Sequence, residues 1–459
     1  MCGEGIRARG PGFRFQEFSM LKSIAFRSRM PAGLLLAAVM VGVLAGCGGG
    51  GGGGSAEPEP QKPALSLSWQ GTGFATPEVI VPGQTPRTVS PGYFGDVAVT
   101  PGGGVHLAWR EYAGIWSGRN PYVSRSHDGG ATWGGLAIDT TSRAFSFLTT
   151  LASGRLVAGS TIDFPQYWWY SPRIWWSDDD GVTWNFQDVQ SDIAAPVEGG
   201  AVFSHVEEPQ GVVEHNGKVI VWMRTDSQLL QGGEEVRNRL YYWDAASATL
   251  TRLPIAPPQP GPLPLQADYE IAAMAADPNG YLYVAIAGEV FRTVDGLAWE
   301  ALPRAQSDAN VVHLTVLADG TLAAGLDNYA NVYFFKDGSG WRQSLLPGDQ
   351  EHLTYQNVKM TRAPSVEQIM ELRSGALLAS AWQYAYASCD GGANWERVAQ
   401  APESLYYQPN RMTQAPDGTV WGSFNQSHPG SQGTADYHGL LLKIQPPAGV
   451  AAHDFVKCP

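Results

Sequence analysis

Residues 126–133 read Ser126-His127-Asp128-Gly129-Gly130-Ala131-Thr132-Trp133, and this stretch decides the fold because it returns. Ser177-Asp178-Asp179-Asp180-Gly181-Val182-Thr183-Trp184 repeats it, and Ser388-Cys389-Asp390-Gly391-Gly392-Ala393-Asn394-Trp395 repeats it with Asn in place of Thr. A shortened copy runs over 293–299 around Asp295 and Gly296, and a worn one over 335–341 around Asp337 and Gly338. Each copy follows a short apolar run, such as Arg173-Ile174-Trp175-Trp176, and precedes another β-prone segment, which is the pattern of a hairpin turn. An Asp in such a turn accepts backbone N–H groups, and a Gly supplies positive φ at little steric cost. The Trp is expected to fold back as an apolar plug between adjacent repeats. Turn chemistry rather than catalysis is therefore the expected role of these residues. The run Asp178-Asp179-Asp180 lacks the alternating ligands and terminal Glu of a calcium loop, so no metal is assigned to it.

Outward from these octads a second period emerges, a Gly turn followed by an alternating strand. It occurs at Gly104-Val105-His106-Leu107, Gly154-Arg155-Leu156-Val157, Gly217-Lys218-Val219-Ile220 and Gly280-Tyr281-Leu282-Tyr283. It returns at Gly320-Thr321-Leu322-Ala323, Gly375-Ala376-Leu377-Leu378 and Gly418-Thr419-Val420-Trp421. The spacing of about 40 to 63 residues is that of propeller blades. Composition agrees: 459 residues with 55 Gly, 32 Pro, 11% aromatic and 16% charged residues favour many short strands over helices. The expectation is an all-β chain, a β-propeller of four-stranded antiparallel blades over 64–459. Seven blades is the count and six the fallback. The third unit keeps only Tyr242-Trp243-Asp244 of the octad, the seventh has none after Gly439-Leu440-Leu441-Leu442, and the segment 65–81 is expected to close the ring.

The octad resembles the Asp-box, or BNR repeat, of sialidase-like β-propellers. The resemblance implies a glycan-recognising face, with hydrolysis of a glycosidic bond as its catalytic form. In such blades the octads and Gly turns lie on one face. The loops between second and third strands and between blades lie on the other. That second face draws Arg110, Glu111, Trp168, Trp169 and Trp382, the aromatics and long polar side chains that stack on sugar rings and bond their hydroxyls. The stretch from Glu208 through Val213-Glu214, Gly217 and Arg224 is similar to the sialidase unit that supplies a Glu to polarise a nucleophilic Tyr and an Arg to hold substrate. By that resemblance Glu208 and Arg224 are site residues and Tyr406 is the nucleophile candidate. The chain departs from the family where an Arg motif should fall, reading Tyr93-Phe94-Gly95-Asp96-Val97 instead. Glu111, Glu208, Glu270 and Asp436 are the carboxylates a two-acid glycosidase could draw on. The alternative, from another class, is a non-catalytic scaffold propeller that binds protein on the same face.

Residues 1–46 carry Lys22, Arg27 and Arg29 ahead of an apolar run and Leu44-Ala45-Gly46-Cys47, which looks like a bacterial lipoprotein signal. The resemblance implies lipidation of Cys47 and an anchor in the cell envelope, with Gly48 leaning toward the outer membrane. Residues 47–63, seven glycines and then a Pro-rich run, read as a tether. A net charge of −13 argues against a nucleic-acid partner. No cofactor is implied by any motif. Cys389 and Cys458 are left in an oxidising location, and whether they pair is open from spacing alone.

Overall fold

Seven times along the chain an apolar strand turns back at a glycine and runs out, and in six of those units the chain turns again at an octad or its remnant. The result is seven antiparallel four-stranded sheets arranged as a β-propeller. The computed structural model describes residues 70–445 with interruptions, the longest at 112–120, 190–201, 254–270, 401–406 and 429–435. The blades span 91–137, 142–188, 202–252, 271–301, 311–345, 366–400 and 407–444, and no helix occurs among the described residues. Six blades are thereby excluded. The expected signal segment, tether and Cys47 lie outside the described residues.

The seventh blade draws only three strands from its own segment. Its fourth is Gln70–Gly71, antiparallel to Asp436–Ile444 through Gln70↔Lys443 and Gly71↔Leu442. Closure thus falls within 65–81 as expected, but two residues accomplish it. Among the other described residues of that segment, Glu78–Ile80 runs parallel to Gly134–Ala137 and forms a hairpin with Arg87–Thr88. An outermost strand exposes unpaired N–H and C=O groups, and this hairpin covers those of the first blade.

The buried apolar residues form seven clusters, each shared by two successive blades. Trp109, Tyr122 and Phe94 of blade one meet Trp421 and Leu441 of blade seven, for example. Burying one such side chain stabilises the fold by about 2–3 kcal/mol, so the ring is held at its junctions. Second strands lie mid-blade with a neighbouring sheet on each face. That is why Leu282–Ile286, Leu322–Leu326 and Leu377–Ala381 are buried throughout rather than on alternate residues.

The innermost strands are Pro91–Val99, Ser142–Thr150, Val202–His215, Ile271–Ala276, Val311–Val316, Val366–Glu371 and Tyr407–Gln414. Each carries a register shift at the same station, for instance between Val311 and His313, Val366 and Gln368, and Pro409 and Arg411. A bulge adds a residue and re-aims the side chains around it. Repeated seven times, it builds a belt around the central channel.

Candidate functional site

The octads can be set aside first. The Ser126 hydroxyl donates to Asp128 Oδ1 at 2.8 Å and accepts the Gly130 N–H at 2.8 Å. Asp128 also takes the Thr132 N–H at 2.9 Å and the Thr132 hydroxyl at 2.6 Å. The octads at 177 and 388 repeat this set, with the Asn394 amide replacing the Thr hydroxyl. These bonds, led by the Thr132 hydroxyl, hold Asp128 well below the usual carboxylate range. Both Asp128 oxygens are thus engaged by the turn. The glycine is needed twice over: Gly392 has φ +78°, and a Cβ there would lie 2.2 Å from the Phe334 ring of the preceding blade. The Trp plugs behave as expected, since Trp133 meets Trp421 edge-on at 6.2 Å and Trp395 donates to Ser344 of blade five at 2.9 Å. In the third unit Asp244 keeps a reduced turn, accepting the Ala246 N–H and the Ser247 hydroxyl.

One octad residue reaches further. Asp180, at φ +57°, accepts from the Thr100 hydroxyl at 2.7 Å and bonds His106 Nε2 at 2.9 Å, with His127 Nδ1 3.3 Å away. The His106 bond is the main reason its carboxyl is pulled down to about 2. It latches blade two onto blade one. Cys389, in the third octad, is disulfide-bonded; Cys458, whose pairing with it was left open by the sequence, lies outside the described residues.

The channel belt is chemically different. Asp96 accepts the Leu148 N–H at 3.1 Å and faces Arg411 Nη1 at 3.4 Å, while Arg411 Nη2 donates to Thr149 at 3.2 Å. Blades seven, one and two are tied by these three residues. Burial raises the Asp96 carboxyl against the pull of Arg411. The His313 imidazole bonds the Ile369 carbonyl at 3.0 Å, and burial pushes it down to about 4. The Gln368 amide donates to the Met412 carbonyl at 2.8 Å and accepts the Met412 N–H, and Ser146 bonds the Pro209 carbonyl. Glu367, at the bulge of blade six, breaks the series. It has no hydrogen bond or ion pair among the described residues, and burial, with the charge of Asp327 beside it, raises its carboxyl to about 7. Asp327 is itself held by the Ser365 hydroxyl at 2.6 Å. Below the belt, the ends of the inner strands of blades two to five enclose a cavity of about 320 Å³, with Thr149, Glu214, Met274 and Val316 on its wall.

Glu208 and Arg224 are directly opposite across the first two strands of blade three, midway along that hairpin and next to its bulge, so their Cβ atoms stand roughly 5 Å apart. Both are half-buried. Arg110 holds the same station on the second strand of blade one, one residue beyond the partner of the bulge, as Asp327 does on blade five. Glu111 ends that strand opposite Pro91. Trp169 opens the third strand of blade two, where it runs parallel to blade three through Trp169↔His205 and Tyr170↔Val206. Trp168, Trp382 and Tyr406 lie outside the described residues. The belt residues escape a motif search, yet their signal is periodic. Counting seven residues back from Gly103, Gly320, Gly375 and Gly418 lands on Asp96, His313, Gln368 and Arg411.

No protein-family model matches the chain, and no curated protein matches it. Solved structures do. YCF48 bound to D1 peptide is 13% identical, with 78% of this chain and 94% of that one covered at a TM-score of 0.45. A catalytically inactive virginiamycin B lyase from Staphylococcus aureus, with quinupristin, is 11% identical over 77% and 95% at 0.45. An α-L-arabinofuranosidase from Fusarium graminearum, in complex with an iminosugar inhibitor, is 14% identical over 81% and 98% at 0.42. At such identities and scores none of them bears on the chemistry of this chain.

Proposed function

We propose that this protein is a sialidase-like, Asp-box propeller that recognises glycans on its loop-rich face. The observation that carries the reading is the placement of Glu208 and Arg224. They face each other within the long hairpin of blade three, just past its bulge, on a sheet that the parallel Trp169–Tyr170 splice joins to blade two. An Arg presents a planar fork to sugar hydroxyls or carboxylates, a Glu accepts hydroxyl protons, and an aromatic ring stacks on a sugar face. Arg110 at the equivalent station of blade one offers a second such donor.

The test is retention of a mixed glycan panel by the full-length chain, read by mass spectrometry. Arg224→Ala and Glu208→Gln are expected to weaken retention about tenfold or more, as loss of a charged hydrogen bond of roughly 1.5–3 kcal/mol does, with thermal midpoints near wild type. Retention equal to wild type in both variants sinks the site assignment. If the folded protein retains no glycan at all, the protein-binding scaffold takes its place.

Anchoring through Cys47 to a bacterial envelope, in the outer membrane, belongs to the same proposal. The support is the Leu44-Ala45-Gly46-Cys47 sequence and the acidic body, which would not adsorb to anionic lipid unaided. Metabolic labelling with radioactive palmitate should mark the wild-type chain and not Cys47→Ser; equal labelling would remove the anchor from the model of function.

A further inference from the structure

The seventh blade is the place where the ring is not continuous along the chain. In each of the other six the third strand turns into a fourth strand of the same segment. Here the third strand, Asp436–Ile444, ends in the C-terminal tail, and the fourth is borrowed from the start of the chain. Two register pairs and the Thr72 hydroxyl, which donates to the Leu441 carbonyl at 3.1 Å, make the pairing at that seam among the described residues.

The octad of the adjoining blade six differs from its two full sisters at its second position. Where they place His127 and Asp178, it places Cys389, exposed on the octad face and disulfide-bonded. Residues 63–459 form one compact unit apart from 1–62, and Cys389 and Cys458 are the two cysteines within it. Third strands run toward the octad face, as Tyr384–Ser388 does into its octad, so Ile444 delivers the tail to the face that Cys389 occupies. Ile444 also shares a core cluster with Leu372, Ala376 and Ala387 of blade six, and Ala387 stands two positions before Cys389. Cys458 lies 14 positions beyond Ile444. That length spans about 46 Å at full extension, ample to return to the adjoining blade.

We infer that Cys389 is joined to Cys458 and that the bond is a redox-sensitive clasp for blade seven. Its formation is a two-electron oxidation. Each thiol gives up a proton, the two sulfurs bond, and the electrons pass to a disulfide oxidant such as oxidised glutathione, which leaves as two thiols. The loop so closed runs over 389–458 and contains all of blade seven, 407–444. Cross-linking removes conformations from the unfolded chain, more of them as the loop lengthens. It also ties the free end of the last strand to blade six, so blade seven cannot peel away from Gln70–Gly71 while the bond holds. Exposed disulfides are the ones that reductants reach, so the clasp opens in reducing surroundings. The inference is independent of the glycan reading and draws on the envelope proposal only for an oxidising compartment.

The test uses the full-length chain, oxidised with glutathione and digested without reductant. Mass spectrometry is expected to find the peptides containing Cys389 and Cys458 linked, two hydrogens lighter than the separate thiols. A free Cys389, or Cys389 linked to Cys2 or Cys47, overturns the pairing; linkage to Cys47 would bring down the lipid anchor as well. Hydrogen exchange then reads the clasp. In Cys458→Ser and in the reduced wild type, amides of 407–444 should exchange about tenfold faster or more than in the oxidised chain, with blades three to five unchanged. Thermal midpoints of both should fall together by about 5 °C or more. Cys389→Ser should match Cys458→Ser, and the double variant should add nothing, because either change removes the same bond. Faster exchange spread evenly over all blades, or no change in blade seven, overturns the clasp and leaves the bond as a tail attachment alone.

Discussion

Asp390 and Glu367 are carboxyl groups in the same blade, and they are driven in opposite directions. Asp390 sits in the octad, where slight burial works against ionisation. The Asn394 backbone N–H, the Asn394 amide and the Ser388 hydroxyl outweigh it and hold the carboxyl at about 2. Glu367 sits at the bulge of the inner strand of blade six, where burial, with the charge of Asp327, finds nothing to offset it and the carboxyl rises to about 7. A group whose lone pairs are filled by its own turn is architecture. A group of the same chemistry left unfilled in a junction of four-stranded sheets is available for something else, and the difference lies in the neighbours rather than in the residue.

The sharpest way to break this comparison is to separate blades five and six. Gly325→Ala would place a Cβ against the Val366 carbonyl oxygen, a backbone atom that cannot swing aside. A loss of about 3 kcal/mol in urea unfolding is expected, with Glu367 and Asp327 displaced from each other. An unchanged midpoint would mean that the close approach does not set this junction.

The octad side is tested by Ser388→Ala. It strips the buried Gly392 N–H and one Asp390 oxygen of a partner, for an expected loss of about 1–2 kcal/mol in the same assay. Retained glycan should be unaffected, because the octads face away from the loop-rich rim. A change in glycan retention without a change in stability would contradict the division of faces.

Titration sets the two kinds of carboxyl against each other more gently. Glu367 has a folded-state value above its ordinary 4.5, so between 4.5 and about 7 the unfolded chain has lost a proton that the folded chain keeps. Stability from this group is therefore present below pH 4.5 and lost as pH rises through 7. Thermal midpoints of Glu367→Gln should exceed wild type at pH 8 and match it at pH 4. Asp180 is the reverse case. Its folded value near 2 lies under the ordinary 3.8, so its contribution is present above pH 3.8 and lost as pH falls toward 2. Asp180→Asn should flatten that part of the acid limb by a small amount, because the group is a third exposed and solvent screens it. Parallel acid limbs in the two proteins would show that the His106–Asp180 latch contributes nothing measurable.

Much of the architecture was readable from residue order because its signals are local. An octad closes its own hydrogen bonds within eight residues, so Ser, Asp, Gly, Thr and Trp at fixed spacing specify the turn wherever they stand. Seven Gly turns specify seven strand pairs, and the blade count follows without knowledge of any contact between blades. The expected closure by the segment 65–81 was also legible in outline, though its division into a two-residue closing strand and a hairpin on blade one was not. Glu208 and Arg224 were reachable because they lie on neighbouring strands joined by a short turn, and strand pairing alone sets them opposite each other.

The channel was beyond such reading. Asp96 and Arg411 are separated by 315 positions, and Asp327 and Ser365 by 38. Nothing in either neighbourhood marks one residue for the other. Their meeting depends on the ring closing with a particular number of blades, on each inner strand bulging at the same station, and on Gly325 admitting a neighbour's backbone. Sequence order by itself determined the blades, because turn and strand formation are settled within a few residues. Only the closed ring decided which polar side chains would be satisfied and which would be left over, because burial and partners at the channel are properties of several blades at once.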